Sequence, residues 1–155
     1  MTSGSRETNA PDAQRPMLIT HEIRIATYDI DFASHVSNIS YLRWFEDMRL
    51  KLFEKYFSLR KFLANGKCPV ISQTKIEYRR PIKLFQEPHG EMWIEHMGNT
   101  SMTIRGVIYV EDKLTTEAEF TAVFIDLATG KPTRLPDVCR IMFNQLTAGS
   151  ASGVN

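Results

Sequence analysis

Residues 28–49 read YDIDFASHVSNISYLRWFEDMR. The acidic pair Asp29 and Asp31 stands where an alternating stretch ends. A short loop with His35 and Asn38 follows, and helical spacing begins directly after it. This order places a carboxylate beside the first turn of a helix. There the backbone N–H groups have no intrahelical acceptor and the dipole is positive. A carboxylate and a free N–H can act together on a bound carbonyl.

Upstream, LITHEIRIATY (18–28) alternates, with Ile19, Ile23 and Ile25 on one face and Glu22 and Arg24 on the other. That is the period of a half-buried strand. Downstream, NISYLRWFEDMRLKLFEKYF (38–57) brings Ile39, Leu42, Phe45, Leu52 and Tyr56 back at intervals of three and four, with a shift near Met48. Ser37 or Asn38 caps this helix, because either side chain can accept a bond from an orphan N–H. Asn65-Gly66 stops the helical region, with SLRKFLANG as a looser segment before it.

Further strands are expected at 70–80 (VISQTKIEYRR), 91–97 (EMWIEHM), 101–110 (SMTIRGVIYV) and 114–126 (LTTEAEFTAVFID), and a short final strand at 137–143. Gly98-Asn99 and Glu111-Asp112-Lys113 are hairpin-length connections, so this meander is antiparallel. One long helix must bury its stripe on the sheet. The expected fold class is α+β, a curved antiparallel sheet wrapped around one long helix. Its exposed edges lead us to expect a homodimer or homotetramer.

The chain has 155 residues and a formal charge of +1. That balance offers no electrostatic case for nucleic acid or an anionic membrane. One domain is expected at 16–146, between disordered tails at 1–15 and 147–155 whose composition is polar and aperiodic. No run reaches the length of a membrane span, and no secretory leader is read at the N-terminus. Cys68 and Cys139 lack metal-ligand spacing and read as reduced thiols of a cytoplasmic protein. GSASG (149–153) lacks the serine of a nucleophile elbow.

On local physics alone, Asp29 and Asp31 read as turn formers or caps as readily as chemical groups, and Asp29 fits that role better. Glu46 can simply pair with Arg49 on the helix surface.

The string D-x-D-x-x-x-H-V-x-N-x-x-Y-x-x-x-x-E, from Asp29 through His35, Val36, Asn38 and Tyr41 to Glu46, resembles the signature of hotdog-fold acyl-CoA thioesterases. The nearest group is the 4-hydroxybenzoyl-CoA thioesterase type. IEYRRPIKLFQEPHGE (76–91) resembles that family's second strand and the step into its third. The resemblance implies that Asp31 is nucleophile or base, that the Asn38 backbone N–H polarises the thioester carbonyl, and that His35 lines the site. It implies that Tyr41 and Glu46 support the loop and helix beside the substrate. It also implies acyl-CoA as the substrate and no metal or redox cofactor, coenzyme A being part of the substrate itself. Alternatives are a thioesterase acting on acyl carrier protein, and a non-catalytic acyl-CoA-binding subunit. The chain departs from the pattern at Ser34 and Ser37. A serine at 34 calls for ordinary backbone angles where the family's glycine allows others. Arg79, Arg80 and Lys83 form a basic cluster suited to the phosphates of coenzyme A or to a solvated sheet end, with Arg105 as a weaker candidate.

Overall fold

The computed structural model describes residues 15–148. Residues 1–14 and 149–155 of the expected tails lie outside the described residues. Arg15, read as part of the first tail, is buried against the sheet, where its guanidinium pairs with Glu91 and covers the Trp93 ring at 4.5 Å.

The chain order is β1 (Ile19–Glu22), a 3-10 turn (Thr27–Asp29), α1 (Asn38–Tyr56), α2 (Leu59–Ala64), β2 (Lys67–Tyr78), β3 (His89–Met97), β4 (Ser101–Val110), β5 (Lys113–Asp126) and α3 (Asp137–Ala148). The strands form one antiparallel sheet in the order β1-β3-β4-β5-β2. The ladders slip at Ile71/Gln73, Ile94/His96 and Ile108/Tyr109. Such irregularities bend a sheet and increase its twist.

β1 is shorter than its alternation implies. Ile23 N–H still donates to Pro88 O at 3.0 Å. Pro88 has no N–H to return, so the ladder ends there.

α1 lies across the concave face. Tyr41, Trp44, Phe45, Met48, Leu52 and Phe53 are buried along it. The inward stripe therefore differs from the expected one in its first half, where Ile39 and Leu42 face outward. The sheet makes room for this crossing. A Cβ on Gly106 would lie 2.7 Å from Phe45 Cε1, and one on Gly90 would lie 2.8 Å from Met48 Cε. Phe45 packs on Phe120 with ring centroids 5.4 Å apart.

The segment before Asn65-Gly66 is not loose. Ser58 Oγ accepts the Lys61 N–H and starts α2, which drops Phe62 onto Phe124. Gly66, at φ +74°, ends it as read from the sequence. The final strand expected at 137–143 is instead α3. Asp137 occupies its first turn, and Cys139, Met142 and Phe143 turn inward at helical spacing. Pro136 before an acidic first turn was the available signal for a helix start.

Candidate active site

The stretch 28–40 is built in two layers. Asp29 is the buried one. Its Oδ2 accepts the Ala26 N–H at 2.7 Å and its Oδ1 accepts the Ser40 hydroxyl at 2.8 Å. Its carbonyl accepts the Ser37 N–H at 2.7 Å. Asp29 thus ties the chain before the loop to the first turn of α1, the structural part expected of it.

Asp31 is exposed. The loop above it is pinched by an antiparallel bridge between Ile30 and Val36. Within the loop, Asp31 N–H donates to His35 O at 2.9 Å and Ser34 N–H donates to Asp31 O at 3.0 Å. Asp31 Oδ1 accepts the Ala33 N–H at 2.8 Å, with His35 N–H at 3.5 Å. Oδ2 accepts no hydrogen bond among the described residues.

Ser34 sits at φ +63°. The expectation of ordinary angles at this serine is corrected: the neighbouring hydrogen bonds hold it in the left-handed region, at a cost of roughly 1 kcal/mol for a residue with a Cβ. The loop thus takes a glycine-type shape without glycine, and His35 stands half-buried at its end.

The first turn of α1 carries three amides. Ile39 N–H donates to Ser37 Oγ at 3.3 Å, and Ser40 N–H donates to Ser37 O at 2.9 Å. Asn38 N–H has no acceptor among the described residues. Ser37, rather than Asn38, is the cap, so the amide singled out from the sequence is the one that the cap leaves open.

Tyr41 lies directly behind this turn. It is buried, with edge contacts to Trp44 at 5.5 Å and Tyr78 at 5.0 Å. Burial pushes its phenol up from its ordinary range, and hydrogen bonds from the Ile82 backbone and the Thr116 hydroxyl pull it partly back. Glu46 is further along α1 on the exposed side, facing the Arg49 guanidinium.

The basic cluster divides. Arg79 is held by Glu77 at 2.9 Å and Glu117 at 3.0 Å. Arg105 is likewise shared among Glu95, Glu117 and Glu119. Arg80 and Lys83 carry no carboxylate partner among the described residues. They line a cleft of about 340 Å³ together with Lys113, which the sequence reading did not single out. This cleft joins the loop through the backbone: Val36 N–H donates to Ile82 O at 2.8 Å, between Arg80 and Lys83.

Comparison with known proteins places these features in a family. Residues 25–143 match the model of the thioesterase-like superfamily. The long-chain acyl-CoA thioesterase FadM of Escherichia coli strain K12 is 28% identical over 127 residues, covering 81% of this chain and 96% of that one. The structure of YbaW, a probable thioesterase from Escherichia coli, superposes with a TM-score of 0.74 at 27% identity, over 83% of this chain and 98% of that one. A DHNA-CoA thioesterase from Staphylococcus aureus shares the fold at a TM-score of 0.78 and 21% identity, over 89% and 96% of the two chains. The sheet and its central helix are those of the hotdog fold expected from the sequence.

Proposed function

The chain belongs to the thioesterase-like superfamily and is a thioester hydrolase, and from that premise we propose that it cleaves acyl-CoA to the free acid and coenzyme A. The similarity to FadM supports this substrate class over acyl carrier protein. The observation that carries the mechanism is the unpartnered Asn38 N–H at the start of α1, one loop away from the free Oδ2 of Asp31.

In our reading the thioester carbonyl oxygen accepts the Asn38 N–H. The helix dipole adds to that field. Asp31 then has two routes. As base, it takes a proton from water while the hydroxide adds to the carbonyl carbon, and the tetrahedral oxyanion rests on Asn38 N–H. Collapse breaks the C–S bond, and the leaving thiolate receives the proton. As nucleophile, Oδ2 attacks the carbon itself, expels the thiolate and leaves a mixed anhydride that water hydrolyses. His35, at the loop end, orients water or substrate. Tyr41 fixes the turn from below, and Glu46 stands on the same helix further out. Arg80 and Lys83 meet the phosphates of the nucleotide. The route draws on no metal or redox cofactor, because carboxylate and amide supply both functions.

Release of free thiol from short, long, branched and aromatic acyl-CoAs tests this. Asp31→Asn keeps an acceptor for the Ala33 N–H and removes the charge. We expect a fall in kcat of about 10²–10⁴-fold. A variant as fast as the wild type on every acyl-CoA refutes the reading. A single turnover in ¹⁸O-water that puts label into Asp31 establishes the anhydride route, with water attacking the aspartyl carbonyl; the base route labels the product acid only.

Among the described residues β2 pairs only with β5, and Ile71 and Tyr78 are exposed on it. We propose that a second copy covers this edge, as homodimer or homotetramer. No helix among the described residues is long and apolar enough to cross a membrane. Cys68 and Cys139 stand as free thiols, in keeping with the cytoplasmic setting proposed from the sequence.

A further inference from the structure

The turn Lys83–Gln86 is built against local preference. Gln86 N–H donates to Lys83 O at 3.2 Å, and Gln86 Oε1 accepts the Lys83 N–H at 2.8 Å. The third residue of this turn, Phe85, stands at φ +75°. That position belongs to glycine or asparagine, and a phenylalanine there is strained. The ring gains no burial from it, being 92% exposed. Strain without burial is kept where the surroundings over-determine it, and such places cluster at ligand sites.

Two clefts flank this turn and share Gln86. One is the basic cleft of Arg80, Lys83 and Lys113, in which Glu111 is the single acidic lining residue. The other has a volume of about 630 Å³, where Ile23, Ile25, Leu84 and Phe85 share the lining with Glu22, Arg24 and Glu87. A cationic cleft and a mixed cleft that carries an exposed aromatic ring thus meet across one turn. That turn is bonded, through Ile82, to the loop of Asp31.

We propose that Lys83–Gln86 is the nucleotide-recognition turn, with Phe85 stacking on the adenine of coenzyme A while Arg80, Lys83 and Lys113 hold its phosphates. This rests on the acyl-CoA reading above. Phosphates give the cations their ligands, and a π-face of any base fits an exposed ring. Arg79 takes no part, because two glutamates already neutralise it.

Calorimetric titration with adenosine 3′,5′-bisphosphate tests the proposal without requiring turnover. The wild type binds; Phe85→Ala weakens binding about tenfold; Lys113→Ala weakens it as well; and Phe85→Trp restores it. Arg79→Ala binds like the wild type. Phe85→Gly relieves the backbone, so its Tm is not lowered although its binding is, which a merely structural ring would not show. In turnover, the ratio of kcat/KM for acyl-CoA over acyl-pantetheine falls about tenfold in Phe85→Ala. A wild type that does not bind the nucleotide, or Phe85 and Lys113 variants that bind it unchanged, overturns the proposal. Failure of the Asp31 experiment would instead strike the hydrolytic reading.

Discussion

The two ends of α1 are built in opposite ways. At the C-terminal end, Phe57 N–H closes on Phe53 O at 2.8 Å, and the Tyr56 hydroxyl donates to Leu18 O at 3.1 Å. Phe53, Phe57, Phe62 and Phe124 follow one another with ring centroids 5.8, 5.9 and 5.4 Å apart. At the N-terminal end, one amide is left open, Ser34 is held in a left-handed conformation, and Ile39 and Phe32 face outward. The difference teaches where stability and reactivity are kept. A site needs an open donor and an accessible carboxylate, and the left-handed Ser34 in the loop between them costs stability. The far end of the same helix supplies the packing that tolerates it.

Substitutions at the two ends should therefore separate activity from stability. The largest effect is expected from Asp31→Asn, which removes most of the turnover described above with little change in Tm. Phe62→Ala is the mirror case. Loss of a buried ring costs about 3–5 kcal/mol, seen as a lower Tm, while activity per folded molecule persists. Cys139 reports on that end. Burial pushes its thiol up to about 12, so at neutral pH almost no thiolate exists and iodoacetamide labels Cys68 alone. The Cys139 thiolate appears only as pH approaches that value or as the end opens, so Phe62→Ala should expose Cys139 to labelling. A Phe62→Ala protein with unchanged Tm and a protected Cys139 would break the comparison.

The smallest effect is expected at Ser34. Ser34→Gly removes a left-handed Cβ and should add up to about 1 kcal/mol of stability with the loop shape kept. Chemical denaturation measures it. A loss of stability would mean that the serine side chain, and not the surrounding hydrogen bonds, holds the loop.

Much of the fold could be read along the chain because β4 and β5 largely alternate and the hairpins that join β3, β4 and β5 are short. For the candidate site, spacing shows only a carboxylate just before a helix start; the choice of Asp31 and the Asn38 amide comes from the resemblance to the thioesterase signature. What escaped the sequence depends on distant partners. The phase of α1 is set by which residues meet Gly90 and Gly106, two strands away in the chain. Arg79 reads as a free cation until β2 pairs with β5 and brings Glu117 to it. α3 was missed because Val138, Cys139, Ile141, Met142 and Phe143 make a short apolar run that also reads as a strand, although the inward set Cys139, Met142 and Phe143 is helically spaced. The Lys83–Gln86 turn was hidden because the glycine that marks such turns is a phenylalanine here. Lys113 was overlooked because only tertiary structure sets its hairpin beside Arg80.

In the proposed mechanism the Asn38 backbone N–H, left open by the Ser37 cap, carries the charge of the transition state. Replacing the amide before residue 38 with an ester removes that one donor and no side chain. The expected result is a fall in kcat of about 10²–10³-fold with Tm nearly unchanged, while the same replacement before residue 42, on the exposed face, spares kcat. An ester at residue 38 that hydrolyses acyl-CoA at the wild-type rate would contradict it.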